Sequence, residues 1–304
     1  MEPCRLLTLL SDFGLSDSYV GVMKGAIAQV NPAVTVIDLT HQIPPQDIAL
    51  ARFTLMTAYP YFPVGTVHVA VVDPGVGGTR RAIAVAVGEV AAQPAGFLVG
   101  PDNGIFSGVF AAHSIITAVS LTNPRYWRTP APSATFHGRD IFASIGAHLA
   151  NGVLLTEMGD RLEPETLVRL NVPVYRRLEH CQLAAKSTEK PAAVSAEGGD
   201  VVGPSYELTG CVQAIDHFGN VITNIPEAQV SGKQWSLSIS TVTLTGKQTY
   251  SDRPTGELVA LVGSHGWVEV AVNGGSAQAR LHLNREQSTN LAEIVVSCWL
   301  LETE

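Results

Sequence analysis

Long apolar runs are missing from this sequence. Although 46% of its 304 residues are apolar, no stretch reaches the roughly 18 consecutive apolar residues that a membrane-spanning helix needs. The longest candidates, Val67–Val72 and the tail Leu291–Leu301, which Glu293 interrupts, read as buried strands. No membrane partner is expected. Basic clusters are missing as well: the net charge is −8 and Lys and Arg are nowhere concentrated, which argues against a nucleic-acid partner. Cysteine is scarce. Cys4, Cys181, Cys211 and Cys298 are isolated and never spaced as CxxC, so they read as reduced, buried thiols. Met1–Leu10 runs from a single Arg straight into LLTLL, without a full apolar signal region or a small-residue cleavage site, and a cytoplasmic protein is expected. Several catalytic signatures are absent too. There is no HExxH and no tightly spaced His pair, so no metal is expected. There is no GxSxG, which leaves a serine hydrolase unsupported.

What is present is a change of pattern along the chain. Leu6–Leu10, Val34–Leu39, Thr66–Val72, Ala82–Val87 and Gly96–Val99 are apolar or β-branched and strand-like. Between and after them, Ser18–Val30, Ile48–Tyr59 and Arg139–Asn151 carry apolar residues at helical spacing. This alternation predicts an α/β fold, a three-layer domain with a largely parallel sheet, over residues 1–182. Residues 183–206 are small, polar and rich in Gly, Ser and Pro, as a linker or surface insertion would be. From 207 to 304 short β-prone stretches recur between turn residues: Leu208–Ile215, Val221–Ile225, Trp235–Ile239, Glu257–Val262, Trp267–Val272 and Ala279–Leu283. They predict an all-β, barrel-like second domain.

Five segments carry chemistry-bearing residues. Ser11-Asp12-Phe13-Gly14 follows the first strand, at the sheet edge where ligands of α/β proteins sit. Asp12 there can accept both hydroxyls of a ribose, or it can cap the next helix. The segment from Asp73 to Arg81, DPGVGGTRR, again sets a carboxylate just beyond a strand. Its three closely spaced glycines match neither GxGxxG nor a P-loop, and Pro74-Gly75 can simply turn the chain. In Thr135–Asp140, His137 and Asp140 open a predicted helix, where Asp140 can complement the helix N-terminus. Asp216-His217-Phe218-Gly219-Asn220 offers a carboxylate for an ammonium, an aromatic face for stacking and an amide that fits an adenine edge. It is equally a good β-turn sequence. Gly263–Trp267 and Ala271–Ser276 are loop signals.

In this order, the motifs SDFG, DPGVG, GPDNG, FHGRD, AIDHFGN and SHGW resemble those of the S-adenosylmethionine hydroxide adenosyltransferases, relatives of the fluorinating and chlorinating enzymes. The likeness covers nearly the whole chain apart from residues 183–206. It implies an enzyme with an α/β and a β-barrel-like domain, a homotrimer whose sites lie at subunit interfaces, and S-adenosylmethionine as substrate with no cofactor. Position by position, it implies that Asp73, Arg80 and His137 form the catalytic triad and that Asp12 holds the ribose. Phe218 and Asn220 would then meet adenine, Asn273 and Gly274 would contact it through backbone, and Asp216 and Ser264 would meet the methionine end. His265 stands where the halogenating relatives carry Arg. Fluorinating relatives place Tyr at the position of Asp73 and Ser at that of Gly138. A carboxylate at that point repels a halide and hydrogen-bonds a water, so the expected reaction is hydrolysis to adenosine and methionine. The alternatives are a halogenase and a non-catalytic binder of S-adenosylmethionine or adenosine.

Overall fold

A computed structural model describes residues 5–89, 94–179, 206–283 and 291–301. The chain divides into two compact units, Met1–Leu170 and Asn171–Glu304. Residues 183–205 of the expected linker lie outside the described residues, and Tyr206 already opens a strand.

The first unit runs β1 (Leu6–Ser11), α1 (Tyr19–Val30), β2 (Thr35–Thr40), α2 (Ile48–Ala58), β3 (Thr66–Val71), β4 (Ala82–Val87), β5 (Gly96–Pro101), α3 (Ser107–Ala112), β6 (Ile115–Ser120), α4 (Ala143–Ala150) and β7 (Asp160–Leu162). The sheet order is β2-β1-β3-β5-β4-β6-β7. Apolar residues on both faces of the central strands require cover on both sides. Leu7, Leu9, Val67 and Val69 pack with Met23 and Ile27 of α1 and Ile145 and Leu149 of α4. Leu10, Ala70, Ile83 and Val85 pack with Ala51 and Leu55 of α2 and Val109 and Phe110 of α3. Each fully buried Leu, Val or Ile in these layers contributes about 1.5–3 kcal/mol. The α/β class and its three layers are as expected, but the sheet is mixed rather than largely parallel. The β2-β1, β1-β3 and β3-β5 pairs are parallel, while β5-β4, β4-β6 and β6-β7 are antiparallel. The connection from β4 to β5 explains the switch. It spans residues 88–95, shorter than the dozen or more residues a parallel crossover needs.

The second unit contains β8 (Arg176–Glu179), β9 (Tyr206–Ile215), β10 (Val221–Pro226), β11 (Gln234–Ile239), β12 (Val242–Thr245), β13 (Leu258–Val262), β14 (Trp267–Val272) and β15 (Val295–Leu301). The order is β12-β11-β15-β9-β10-β14-β13, with β8 added on β9, and the strand pairs are antiparallel. The ends of this sheet meet where Lys247 N–H donates to Ala260 O at 2.8 Å, which nearly closes a barrel around Leu208, Val212, Ile225, Leu237, Val268, Val270 and Val296. One expected strand is absent. Within Ala279–Leu283 the chain instead completes a helical turn, Ala277–Arg280, whose start Ser276 caps by accepting a hydrogen bond from Ala279 N–H. Cys211 and Cys298 are buried. Burial pushes the Cys298 thiol up to about 12.

Candidate active site

Strand order creates the site. From β1 the chain moves to one side, to β2, and then returns to the other side of β1 as β3. The carboxyl ends of β1 and β3 therefore flank a topological switch point, the crevice where open α/β sheets bind ligands. Ser11 is in register with Val71, so Asp12 and Asp73 stand just past adjacent strand ends. Asp12 does not cap α1, which begins at Tyr19 behind Ser18. Its Oδ2 accepts a hydrogen bond from the backbone N–H of Gln46, 2.8 Å away. Gln46 is held at a φ of 66°.

From Asp73 the chain crosses to Arg80 and folds back on itself. Arg80 Nε donates to both carboxylate oxygens of Asp73, at 2.9 and 3.1 Å, and Nη2 donates to Oδ2 at 2.5 Å. The two side chains are only 5% and 11% exposed, and the guanidinium lies 5.5 Å from the Phe142 ring. The same Nη2 is 2.7 Å from His137 Nδ1. Arginine is a donor only, so Nδ1 accepts and the neutral ring carries its proton on Nε2. Burial, and after it the charge of Arg80, push the imidazole below its ordinary value, with Asp73 and Asp140 pulling the other way. Asp73, Arg80 and His137 thus form one contiguous hydrogen-bonded unit.

The glycines in this loop are structural. Gly77 has a φ of 73°, and a Cβ there would sit 2.1 Å from the backbone oxygen of Ala134. The loop between strands therefore packs directly on the segment leading to His137. That segment ends in a wide helical turn, Gly138–Phe142, that continues into α4; wide turns of this kind recur at functional sites. Asp140 does not simply complement the helix N-terminus. Fully buried, it accepts from Arg128 Nε at 2.6 Å, from Arg139 Nε and Nη2 at 2.7 Å each, and from Ser133 N–H at 2.9 Å. Burial raises its pKa, but the bonds from Arg139, Ser133 and Arg128 outweigh that and hold it well below the usual carboxylate range.

In the second unit, the turn between β9 and β10 holds Asp216, Phe218 and Asn220. Asp216 Oδ1 accepts from the N–H groups of Phe218 and Asn220 at 2.9 and 2.8 Å, and Oδ2 accepts from Asn220 Nδ2 at 2.9 Å. The turn leaves Phe218 73% exposed and Asn220 buried. Gly219, at a φ of 83°, packs against Ser276 so closely that a Cβ would meet its hydroxyl at 2.0 Å. Asn273 and Gly274 follow β14 at this same end, because Val221 pairs with Val270. Asn273 donates its amide to Arg253 O at 2.7 Å, and its backbone bonds Glu257 and Gly256. Ser264 lies in the β13–β14 turn at the opposite end of the β10–β14 pair, where Gly266 O of the same turn accepts from Glu227 N–H at 2.8 Å. Its neighbour His265 is 2.9 Å from Glu269 Oε2, whose other oxygen accepts from Tyr250 at 2.8 Å. Burial and then Glu269 and Asp216 raise Tyr250 to about 12. Asp216, Phe218, Asn220, Asn273 and Gly274 are thus gathered at one end, and Ser264 is not.

Sequence reasoning gave no role to Asp102 and Asn103, although GPDNG was visible; it placed Asp140 at the helix start, where it lies, but did not find its bonds to Arg128, Arg139 and Ser133. Among the described residues no group of three or more His, Cys, Asp or Glu is arranged to hold a metal ion, and no helix is long and apolar enough to cross a membrane.

A charged triad at the switch point of an α/β unit, joined in one chain to a β-barrel-like unit with an exposed aromatic turn, defines a small-molecule-binding protein of enzyme type. Residues 7–159 match the N-terminal domain, and residues 210–290 the C-terminal domain, of the S-adenosylmethionine (SAM) hydroxide adenosyltransferases. The chain belongs to this family. It is 40% identical to an (R)-S-adenosyl-L-methionine hydrolase of Salinispora tropica, over 91% of this chain and 94% of that one. It is 37% identical to a hydrolase of the same name from Thermus thermophilus, over 94% and 99%. A fluorinase from an Actinoplanes species is 29% identical over 88% and 91%. Among solved structures, an uncharacterised conserved protein from Thermotoga maritima superposes with a TM-score of 0.76 at 30% identity, covering 96% of this chain and 99% of that one.

Proposed function

We propose that this protein hydrolyses S-adenosylmethionine to adenosine and L-methionine. The observation that carries the reading is the Asp73–Arg80–His137 unit at the crevice of a chain in this family. Carbon C5′ of the substrate is already activated by the sulfonium. A water oxygen bonds to C5′, the C5′–S bond breaks, and its electron pair leaves with sulfur as the neutral methionine thioether. One water proton must be lost. In the resting geometry His137 Nδ1 is occupied by Arg80 and Nε2 carries hydrogen, so the imidazole orients the water by donation and Asp73 is the first proton acceptor. A carboxylate is base enough, because the water becomes strongly acidic as its bond to carbon forms. The protein's main tasks are then alignment and removal of competing hydration.

Asp12, at the neighbouring strand end, is assigned to the ribose hydroxyls. Phe218 is assigned to stacking on adenine and Asn220 to its edge. The backbone of Asn273 is engaged with residues 256–257, which leaves backbone recognition of adenine chiefly to Gly274. Of the roughly four acceptor sites of the Asp216 carboxylate, three serve the turn, leaving one for the substrate ammonium. Ser264 is assigned to the methionine end. The family resemblance supports a homotrimer with sites at subunit interfaces, acting without metal or cofactor, and the isolated cysteines fit a reducing, cytoplasmic setting.

Incubation with S-adenosylmethionine should release adenosine and methionine in equal amounts, undiminished by EDTA. No adenosine above the enzyme-free control overturns the reading. The fluorinase relatives make a halogenase the second reading; 5′-halogenated deoxyadenosine on adding chloride or fluoride would favour it. Tight binding without turnover would favour a non-catalytic binder.

A further inference from the structure

The sheet order forces the catalytic loop to make a bridge. Residues 72–81 connect β3 to β4, but β5 lies between those two strands. The loop must therefore pass over the carboxyl end of β5, and the residues just beyond that end sit beneath both of its feet. Those residues are Asp102 and Asn103.

Each holds one foot. Asn103 Nδ2 donates to Val72 O at 2.8 Å, immediately before Asp73, while its Oδ1 accepts from Ile105 N–H at 3.2 Å. Asp102 N–H donates to Arg81 O at 3.0 Å, immediately after Arg80. The Asp102 carboxylate also accepts from Arg81 Nε and Nη2 at 2.8 and 2.5 Å, and its other oxygen accepts from Val168 N–H at 2.9 Å. Arg81 in turn donates to Thr166, through Nη1 to its hydroxyl at 3.1 Å and through Nη2 to its carbonyl at 2.5 Å. The Asp102 side chain is 3% exposed. Between the feet the loop is rich in glycine and has little stiffness of its own.

We propose that Asp102 and Asn103 are positioning residues of this enzyme, clamping the two ends of the 72–81 bridge so that Asp73 and Arg80 keep their separation and Arg80 reaches His137. The kinetic side of the proposal rests on the hydrolase reading; the geometric side does not. Asn is required because one side chain must donate to Val72 O and accept from Ile105 N–H. Asn103→Asp keeps the shape but sets a carboxylate against the Val72 carbonyl. Asp102→Asn loses the ion pair with Arg81, and Asp102→Glu retains the charge.

The test uses full-length Asn103→Asp, Asp102→Asn and Asp102→Glu, compared with wild type by thermal unfolding, kcat and KM. A displacement of about 1 Å costs about 10²-fold, so Asn103→Asp should lower kcat by about that factor with KM changed less than about threefold. Asp102→Asn should act in the same direction, and Asp102→Glu should restore part of the loss. In a His137→Ala background, Asn103→Asp should cost much less, since the geometry it protects is already broken. Unchanged kcat in Asn103→Asp, or the same fold loss in both backgrounds, overturns the clamp. Nuclear magnetic resonance titration of His137 gives a readout independent of turnover. The proposal expects the ring to titrate at higher pH in Asn103→Asp, as Arg80 draws away, and an unmoved titration overturns it even if the protein proves not to hydrolyse S-adenosylmethionine. If Asn103→Asp does not fold, the Asp102→Asn and Asp102→Glu pair decides by the same measurements.

Discussion

The two units present polar groups in opposite ways. At the edge of the α/β sheet the charged side chains bond one another across the fold: Asp73, Arg80 and His137 come from two separate segments, and Asp140 draws Arg128, Arg139 and Ser133 into a second cluster. In the β unit the polar side chains bond mainly within their own turns. Asp216 braces its turn through Phe218 and Asn220, and Phe218 is left projecting. On the proposed reading, the first arrangement fixes the reacting groups before any ligand arrives, as a lowered barrier requires. On the same reading, the second offers surfaces for contact, which would set affinity. Substitutions in the two units should therefore separate into effects on kcat and effects on KM.

The largest effect should come from the triad itself. Asp73→Ala, Arg80→Ala and His137→Ala should each lower kcat by about 10²–10⁴ while KM moves little. Combined, they should cost less than the sum of the single losses, because they act on one water. Steady-state kinetics check this, and a kcat near wild type in both Asp73→Ala and His137→Ala removes the triad assignment. Asp140→Ala should come next. It leaves two guanidiniums and a backbone N–H without their buried acceptor, at a cost of about 3 kcal/mol. Chemical denaturation would read this, and an unchanged midpoint would show that the cluster is dispensable.

Phe218→Ala sharpens the comparison from the other side. A base–aromatic stack is worth about 1–3 kcal/mol, so KM for S-adenosylmethionine should rise at least about fivefold with kcat within about a factor of two. A fall in kcat at constant KM would erase the distinction between the units. The smallest effect is on pH. The His137 pKa lies below its ordinary 6.5 in the folded protein, so the neutral, Arg80-accepting ring prevails at and above that pH. As the pH falls through the lowered value, the ring protonates, the bond from Arg80 is lost, and so is the stability linked to it. The acid limb of kcat/KM should therefore have its midpoint below 6.5, and a midpoint above it contradicts the assigned state of His137.

Much of this was legible in the sequence, for identifiable reasons. Apolar runs report burial, so β1, β3 and the carboxylates just beyond them, Asp12 and Asp73, could be located. Periodicity does not report which strands pair. The insertion of β5 between β3 and β4, and hence the work of Asp102 and Asn103, follow from strand order, which no local pattern encodes, whereas the antiparallel β4–β5 pair follows from its short connection. Asp140 looked like a helix-end residue because its partners Arg128 and Ser133 lie upstream in a segment without periodicity. The expected strand at Ala279–Leu283 failed because the Ser276 cap starts a helical turn there.

On the proposed reading, water attacks C5′ of S-adenosylmethionine under the control of Asp73, Arg80 and His137. Turnover in water enriched in oxygen-18, followed by mass spectrometry of the nucleoside, tests it most directly. One labelled oxygen should appear in adenosine, at the 5′-hydroxyl, and its rate of appearance should fall in Asp73→Ala. Adenosine without the label, or a 5′-halogenated nucleoside formed in its place when halide is present, would contradict the claim.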